Sequence, residues 1–528
     1  MSANYGKAWG KYCGFLDLQI EQFMSIQEAL LMLQLQRSAR CPLWRRIIGE
    51  KVPESVAEFR RSVPLTSYND YLPDLAEYNA DSLPETPYAW AHTSDDSGSF
   101  KRAPYTLQFY NVMLDSLMAV FILACSGQRG RSSLTDGDRV LYNVAPSPYL
   151  SGILASGASR EFNLRPVISP DQHDSMDFKE KVARGFEVSL QTGVDIIVGL
   201  TSVLVKIGND FNSRNRSSGL SRRLLNPGVI YRLARASLRS KLEKRDMLPG
   251  DLWPVKALIG WGIDTGIYRE LIKKYWGKYP FEFHACTEAG ILAMQSWNQK
   301  DLTFIPHLNF LEFIPESEWL ESQRNIWYQP RTLLLSEVSP GERYELVITS
   351  FYGTPFLRYR LGHLIRITSL ADEEAPVNLP QMVFETRTDD LIDIAGFTRI
   401  SEKTVAQAVA GAGFPVEEWS VRKEFKQGKP ALHLYIELNG DHTARGVASV
   451  LHRQLKTLDC FYRDLDSMMD IQPLEVTLLR PGTFSDYYTG QKGAGAELSR
   501  LKPPRVNAPD SVIDKILRLS EKRVAVAR

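Results

Sequence analysis

Residues 351–363 read FYGTPFLRYRLGH and follow directly on a β-like run at 344–350. Helical patterns such as 268–276 occur earlier in the chain. They alternate with further β-like runs, at 140–144, 196–200, 255–260 and 281–285. Strands that alternate with helices predict an α/β fold with layered sheets, and in particular a largely parallel sheet.

The composition is that of a folded globular protein with a large core. The chain has 528 residues, of which 44% are hydrophobic and 24% charged. Lys plus Arg number 63 against 62 Asp plus Glu, a net charge of +1. Such a balance gives no global field that would attract nucleic acid or anionic membranes. We expect small-molecule partners, no nucleic-acid or membrane partner, and a monomer or homodimer.

The cysteines and the apolar runs indicate the compartment. Five cysteines are scattered without a CxxC pair, so neither a zinc site nor a disulfide framework is predicted, and free thiols in a reducing compartment are expected. The N-terminal residues 1–14 lack the pattern of a secretory signal. The longest apolar run, 112–125, carries Asp115 and is shorter than the ~20 residues that span a bilayer. A cytoplasmic location is the expectation.

An Arg-rich segment extends from Ser213 to Lys244 and has a helical pattern. Acidic residues elsewhere balance its charge, so we interpret it as a solvated helical face.

A domain boundary is expected near 384–390. After it come helical patterns at 402–410 and 443–455, strand patterns at 431–437 and 474–479, and a Gly-rich loop at 490–496. We therefore predict a large N-terminal domain, 1–386, and a small mobile C-terminal α+β domain, 387–528, joined by a hinge.

Four stretches are informative because of their order and spacing: TSDDSGSFK (93–101), FHACTEAG (283–290), FYGTPFLRYRLGH (351–363) and FETRTDD (384–390). They resemble the motifs of the acyl-adenylate-forming superfamily, and in particular those of the plant auxin-responsive acyl-acid amido synthetases and their bacterial relatives. The resemblance covers about Val63 to Arg505 and includes VPLTSY (63–68), GWGID (260–264) and RTLLLSEV (331–338). It implies a large adenylation domain, a small mobile domain, and ATP with Mg²⁺ as cofactors.

The first stretch resembles the family's phosphate loop. Small residues and hydroxyls let backbone N–H groups approach the β- and γ-phosphates. The residues that the resemblance assigns to ATP here are Ser94, Ser97, Gly98 and Lys101. Asp95 and Asp96 stand where the family has Gly and Thr, and two carboxylates facing a triphosphate are repulsive. The alternative is an ordinary surface loop.

The second stretch resembles the family's motif in which a Ser or Thr lies by the phosphate and a Glu helps to hold Mg²⁺. The resemblance assigns these roles to Thr287 and Glu288. A carboxylate with phosphate oxygens suits a hard cation. The alternative for Glu288 is a solvated helix start with Thr287 as its N-cap. His284 is assigned beside the adenine or the acyl group, with a hydrogen-bonded structural histidine as the alternative.

The third stretch resembles the family's YRxGD motif, in which the final Asp binds both ribose hydroxyls. Here His363 stands in that place, so weaker or rearranged ribose binding is expected, because a neutral imidazole offers one acceptor and one donor. The resemblance also assigns Tyr359 and Arg360 to the nucleotide. Core packing and a structural ion pair are the alternative.

The fourth stretch and a further segment near residue 500 resemble the mobile parts of the family. Arg387 matches the arginine that contacts ribose, and Asp389 matches the hinge residue that absorbs the dihedral change when the small domain rotates. Residues 495–505, GAELSRLKPPR, resemble the segment carrying the catalytic lysine. Lys502 is the candidate and Lys492 the fallback, since a lysine over the α-phosphate stabilises developing charge. The alternative for Arg387 and Asp389 is a plain Asp-rich turn. The alternative for Lys502 is a solvated loop lysine.

Together these residues predict an ATP-dependent acyl-acid amide synthetase, an AMP- and pyrophosphate-forming ligase. The amine acceptor follows from the resemblance. A specialised branch that joins aryl acids to aminocoumarins in antibiotic biosynthesis is a refinement suggested by the departures at 95, 96 and 363. A CoA ligase and a catalytically silent ligand-binding relative are the alternatives.

Overall fold

The architecture is described from a computed structural model. It describes residues 2–94, 100–169, 172, 176, 178–214, 226–261, 265–325, 327–388, 391–394, 398–426, 429–459, 462–463, 474–493 and 503–526.

The chain forms two compact units. The first comprises Met1–Thr93 with Phe100–Phe384, and most of the second extends from Glu385 to Arg528. The boundary predicted between 386 and 387 lies two residues further along the chain. The mobility of the smaller unit stays a prediction.

Helices make up much of the first unit. They are α1 Ser2–Tyr12, α2 Ile20–Ser38, α3 Pro42–Ile48, α4 Val56–Ser62, α5 Leu72–Leu75, α6 Leu107–Ala124, α7 Leu150–Glu161, α8 Phe178–Thr192, α9 Thr201–Arg214, α10 Pro227–Leu242, α11 Pro249–Leu252, α12 Thr265–Trp276 and α13 Glu316–Arg324. Short 3₁₀ turns lie at Gly14–Asp17, Tyr68–Asp70, Ala80–Ser82 and Leu335–Glu337.

The strands of this unit follow the same chain order. They are β1 Ala89–Ser94, β2 Phe100–Tyr105, β3 Ser126–Gln128, β4 Arg131–Ser132, β5 Arg139–Asn143, β6 Arg165–Pro166, β7 Ile196–Leu200, β8 Ala257–Trp261, β9 Pro280–Cys286, β10 Gly290–Gln295, β11 Leu302–Phe304, β12 Asn309–Pro315, β13 Arg343–Ser350, β14 Tyr359–Ser369 and β15 Gln381–Arg387.

The main sheet has eleven strands in the order β12-β13-β14-β15-β11-β10-β9-β8-β7-β5-β6. From β6 to β9 every neighbouring pair is parallel. Beyond β9 the pairings of β9 with β10, β10 with β11, β11 with β15, β12 with β13, and β13 with β14 are antiparallel. The predicted α/β class is confirmed, but the expectation of a largely parallel sheet holds only for the first half.

The strands of the parallel half have the sequence pattern expected for buried strands. Strands β7 and β8 read IIVGL and ALIGW, nearly unbroken apolar runs, as expected for strands covered by helices on both faces. Their side chains from Ile196 to Val198 and from Ala257 to Ile259 are buried.

Helix α6 forms the centre of the core. The Thr106 hydroxyl caps it by accepting a hydrogen bond from the Phe109 N–H, and the helix packs against β8, β10 and α7. It is long and apolar enough to cross a membrane by length and composition alone, and 56% of it is buried inside the protein. A helix that is apolar on all sides is typical of a protein core.

The second unit contains β16 Leu391–Ile394, β17 Thr398–Ser401, β18 Val416–Lys426, β19 Lys429–Leu438 and β20 Leu474–Leu479. Its helices are α14 Glu402–Gly411, α15 Ala444–Leu458, α16 Thr483–Gly493 and α17 Asp510–Val526. A three-stranded sheet has the order β18-β19-β20, with β18 antiparallel and β20 parallel to β19. Ser401 and Thr443 accept hydrogen bonds from the first turns of α14 and α15.

The structure of this unit differs from the expectation at two places. The Gly-rich loop expected at 490–496 begins inside helix α16, which ends at Gly493, and 494–496 lie outside the described residues. Strand β18, eleven residues long, was not predicted.

Candidate active site

The second and third motifs meet in the first unit. The second motif lies at the end of β9 and in the turn that leads into β10, where Cys286 pairs with Gly290. Gly290 has φ +67, and a Cβ there would lie 3.1 Å from the Met113 sulfur, so the close turn requires glycine.

Two buried side chains stabilise this turn by hydrogen bonds to its backbone. The Tyr105 hydroxyl donates to the Thr287 carbonyl at 2.5 Å, and the Asn309 amide donates to the Ala289 carbonyl at 2.8 Å. Thr287 is buried and Glu288 half-buried. Because the turn joins two strands, the alternative of a helix start at Glu288 is wrong.

The Glu288 carboxylate is bound by Tyr359 of the third motif. The Tyr359 hydroxyl donates to Oε1 of Glu288 at 3.3 Å, and its ring packs against Phe356 and Tyr71. Burial, together with the Glu288 charge, raises the pKa of Tyr359 well above its ordinary value. The hydroxyl therefore stays protonated and can hold the carboxylate in one orientation.

A second contact joins the same two motifs. The Nε2 atom of His284 lies 3.1 Å from Nδ1 of His363, and the His284 ring stacks on Phe384 with centroids 4.9 Å apart. Burial lowers the pKa of His284 from 6.5 to about 4. His284 is therefore neutral at pH 7, and the pair needs a donor nitrogen on one ring and an acceptor on the other.

A bulge in β14 positions His363. Glu345 of β13 pairs with Leu364, whereas Val347 pairs with Arg360, so β14 carries extra residues between these points. Gly362, within the bulge, has φ +68. Bulges of this kind redirect a side chain next to a functional site.

Arg360 lies beside this bulge and is bound to a carboxylate. Its guanidinium lies 2.6 Å from the Glu345 carboxylate, which is the ion pair that the sequence left as an alternative. The assignment of Arg360 to the nucleotide stays a prediction.

Arg358 anchors β14 to the early segment 63–68. Its guanidinium lies 2.8 Å from the buried Glu312 carboxylate and donates to the Val63 carbonyl at 2.6 Å. The Thr66 N–H donates to the Arg358 carbonyl, and the Thr66 carbonyl accepts from the Arg360 N–H. The VPLTSY stretch therefore serves as a support for the third motif, a role that its sequence did not reveal.

The remaining predicted residues are described only in part. Ser94 ends β1, and Lys101 of β2 places its Nζ 5.8 Å from the Tyr68 ring centroid. Arg387 is the last residue of β15, and Lys492 lies in α16. The predicted residues Ser97, Gly98, Asp389 and Lys502 lie outside the described residues, as do Asp95 and Asp96.

The chain that follows Lys502 is anchored to the sheet of the second unit. The Val421 N–H donates to the Arg505 carbonyl at 2.7 Å, and the Asn507 N–H donates to the Val421 carbonyl at 2.9 Å. The Arg505 guanidinium lies 3.1 Å from the Glu418 carboxylate. The segment from Pro503 onward thus runs along β18.

Family models match two parts of the chain. Residues 302–387 match the GH3 family central domain, and residues 401–510 match the GH3 family C-terminal domain. The first match contains Tyr359 and His363.

Named relatives extend this likeness. A jasmonoyl–L-amino acid synthetase, GH3.5 of Oryza sativa subsp. japonica, is 22% identical over 87% of this chain and 88% of its own length. An indole-3-acetic acid-amido synthetase, GH3.8 of Oryza sativa subsp. indica, is 28% identical over 38% of this chain and 34% of its own length.

Solved structures share the whole fold. The acyl acid amido synthetase AtGH3.15, in complex with 2,4-DB, covers 98% of this chain and 96% of its own with a TM-score of 0.70 at 17% identity. A 2-hydroxyisobutyryl-CoA ligase in the postadenylation state covers 95% and 92% with a TM-score of 0.62 at 14% identity. The fold is that of the adenylate-forming ligases. The domain matches and the amido synthetase neighbours make the chain similar to the acyl acid amido synthetases of the GH3 family.

Proposed function

We propose that this protein is an ATP-dependent acyl-acid amide synthetase. It activates a carboxylic acid as acyl-AMP with release of pyrophosphate, and it transfers the acyl group to an amine with release of AMP. The observation that carries the proposal is the pair of contacts between the second and third motifs. Tyr359 reaches Glu288 and His284 reaches His363 across 71 and 79 residues of sequence.

The chemistry has two steps. A carboxylate oxygen of the acid attacks the α-phosphorus, the bond from the α-phosphorus to the bridging oxygen breaks, and pyrophosphate leaves. The amine nitrogen then attacks the acyl carbon, the bond to the AMP oxygen breaks, and the amine loses a proton. The protein contributes positioning and preorganised charge.

Glu288 supports a Mg²⁺ site. Magnesium in ATP-dependent enzymes is held by one or two carboxylates together with substrate phosphates, and the half-buried Glu288 carboxylate, oriented by Tyr359, fits that donor set. Within the described part of the chain, no group of three or more His, Cys, Asp or Glu side chains is placed to hold a metal. We propose that Glu288 holds the ion beside Thr287, where bound Mg²⁺ would neutralise phosphate charge.

Lys502 is proposed as the lysine that stabilises charge at the α-phosphate, and Arg387 with Asp389 as the hinge region. The support for Lys502 is the anchoring of Pro503–Asn507 along β18, which fixes the chain directly after it. The support for the hinge is the position of Arg387 at the end of β15, close to the boundary between the two units.

For the substrates we propose an aryl acid and an aryl amine or amino acid, as in antibiotic pathways that form aminocoumarin amides. The support is the set of departures from the family pattern at Asp95, Asp96 and His363. We propose a cytoplasmic location. Its support is that, among the described residues, Cys13, Cys41 and Cys125 carry free thiols.

The test is exchange of labelled pyrophosphate into ATP by the full-length protein, with Mg²⁺ and a panel of aromatic and alkanoic acids. Exchange with at least one acid, in the absence of amine, supports the proposal. Release of ADP and phosphate alone would show an acyl-phosphate mechanism instead. Absence of exchange with every acid, despite ligand binding, would identify a catalytically silent relative.

A second measurement separates the amide synthetase from a CoA ligase. The acid that supports exchange is incubated with ATP and either a panel of amines or CoA, and the products are identified by mass spectrometry. An amide supports the proposal. A thioester with CoA and no amide with any amine would assign the protein to the CoA ligases, the class of one structural neighbour.

A further inference from the structure

Helix α10 presents an apolar face to solvent. Four of its large apolar side chains are exposed: Ile230 by 48%, Tyr231 by 66%, Leu238 by 61% and Leu242 by 74%. Tyr231 and Leu238 are seven residues apart and Leu238 and Leu242 four, so these three side chains share one side of the helix. Large apolar side chains grouped on one exposed side are typical of an interaction surface.

The opposite side of the helix is fixed to the first unit. Val229 and Ala236 are buried. The Arg232 guanidinium donates to the Leu190 and Gln191 carbonyls at the end of α8, each at 3.1 Å. The exposed stripe is therefore held on a rigid element. The sequence predicts a solvated helical face for the Arg-rich segment, and the exposed side chains of this helix include apolar ones as well.

Basic residues are frequent on this helix and directly after it. Between 227 and 251 the chain has six of them, Arg232, Arg235, Arg239, Lys241, Lys244 and Arg245. The same span has three carboxylates, Glu243, Asp246 and Asp251. Arg239 and Arg245 form ion pairs with Glu243 and Asp251. Lys241 and Lys244 are exposed beside Leu242. This span is therefore more positive than the whole 528-residue chain, whose net charge is +1.

We propose that the outer face of α10 docks on an anionic lipid surface. An apolar stripe with an aromatic residue, bordered by Lys and Arg, is the composition of helices that lie in the membrane interface. Leucines and tyrosine enter the headgroup region while the lysines contact anionic headgroups, each basic residue adding attraction. Two copies of the chain packed face to face on this helix would bring their lysines together, and this repulsion disfavours self-association as the role of the face.

This proposal differs from the expectation that the chain has no membrane partner. That expectation followed from the charge of the whole chain, whereas membrane docking depends on the local surface charge within about 10 Å of the lipid. It is independent of the catalytic proposal, because none of the residues of the candidate active site lies on α10.

The experiment is vesicle flotation of the full-length protein. Vesicles of phosphatidylcholine alone are compared with vesicles that contain about one third phosphatidylglycerol. We expect the protein to float with the anionic vesicles and to stay largely unbound with the neutral ones. The double variant Leu238→Gln, Leu242→Gln should lower the bound fraction at least about tenfold. Lys241→Gln with Lys244→Gln should lower it about fivefold or more.

Matched controls keep the result interpretable. Leu33 on α2 is 48% exposed, so Leu33→Gln makes the same chemical change elsewhere and should leave flotation unchanged. Circular dichroism of each variant checks the fold.

Three outcomes would overturn the proposal: no flotation with anionic vesicles, equal flotation with neutral vesicles, or unchanged flotation of the leucine variant. A fourth would replace it. If analytical ultracentrifugation without vesicles shows a dimer that the leucine variant converts to monomers, the face is a contact between copies of the chain.

Discussion

The hydroxyl of Tyr359 donates a hydrogen bond to the carboxylate of Glu288 over 3.3 Å, although 71 residues separate them in the sequence. This bond spans two motifs, and it favours one direction of the carboxylate in the tight turn. The orientation of Glu288 is therefore a property of β14 as much as of its own turn.

Removing the Tyr359 hydroxyl should lower the rate of adenylation without disturbing the fold. For Tyr359→Phe we expect a three- to tenfold lower rate, the effect of losing about 1 kcal/mol from one hydrogen bond. Pyrophosphate exchange measures it. Tyr328 donates to Glu318 at 2.7 Å outside the site, so Tyr328→Phe is a matched control and should retain the full rate. Equal rates for both variants would show that Glu288 needs no orientation.

Glu288→Ala should lower the adenylation rate by about 10² or more, because a charge-stabilising group is lost. The Mg²⁺ concentration for half-maximal rate should rise at the same time. Glu316 pairs with Arg343 on the surface, and Glu316→Ala should change neither quantity. A Glu288→Ala protein with unchanged rate and unchanged Mg²⁺ dependence would contradict the metal assignment.

The buried His284 predicts a pH dependence of stability. Burial lowers the pKa of His284 to about 4, below the ordinary 6.5, so the unfolded chain takes up a proton at a higher pH than the folded one. The stabilisation is complete above pH 6.5 and is lost as the pH falls from about 6.5 toward 4, by about 2 kcal/mol at pH 4.5.

The measurement is urea unfolding of the native protein and of His284→Gln at about pH 7 and about pH 4.5. The native protein should lose more free energy of unfolding between these values than the variant, by about 2 kcal/mol. His442, before α15 in the other unit, serves as a control, and His442→Gln should follow the native protein. Parallel losses in the native protein and His284→Gln would show that the imidazole is not desolvated.

His363→Asp tests the ribose assignment. If His363 occupies the ribose position, a carboxylate supplies the second acceptor, and the KM for ATP should fall roughly tenfold, equivalent to about 1 to 2 kcal/mol. The aspartate should also accept from Nε2 of His284 and raise the pKa of that imidazole, which NMR titration can follow. His363→Asn, neutral and of similar size, should not lower KM.

Kinetics with 2′-deoxy-ATP complete that test. A native enzyme with a weakened ribose contact should discriminate little between the two nucleotides, and His363→Asp should discriminate more. Loss of all activity in His363→Asp, with strong discrimination by the native enzyme, would show instead that the His284–His363 pair is a rebuilt ribose site.

Lys502 and Lys492 can be separated by matched substitutions. Lys502→Gln should lower pyrophosphate exchange by about 10², because a charge that stabilises the α-phosphate is lost. Lys492→Gln, in the last turn of α16, should leave exchange unchanged. The reverse pattern would make Lys492 the catalytic lysine.

Local patterns predicted individual elements well. Strands 196–200 and 474–479 match β7 and β20 at both ends, because unbroken or regular apolar runs are strong local signals. Strand β18 was missed, since its sequence VEEWSVRKEFK is rich in charge. On one face of this sheet its Arg422 and Glu424 bind partners, and the Glu424 carboxylate lies 2.6 Å from His433 of β19. Trp419, Val421 and Phe425 do alternate with polar residues, but Lys423 interrupts this alternation, so the strand signal is weak.

The sequence predicts which residues form the site better than it predicts how they are arranged. The motifs identified Glu288, Tyr359, His284 and His363, but the contact between the two histidines joins strands that are not neighbours in the sheet. The order of strands depends on long-range packing, so neither this pair nor the antiparallel half of the sheet appears in any local pattern. The ion pair of Arg360 with Glu345 was weighed from sequence only as an alternative.

The anchoring of Val63 by Arg358 has a consequence for biosynthesis. The two residues lie 295 positions apart, and ribosomes add about 5 to 20 residues per second, so the early segment emerges roughly 15 to 60 s before its partner exists. The interval is longer for Gln34 of α2, since it binds the backbone carbonyl of Thr354, 320 positions away. During translation the contacts of these segments with Thr354 and Arg358 therefore form only after β14 has been synthesised.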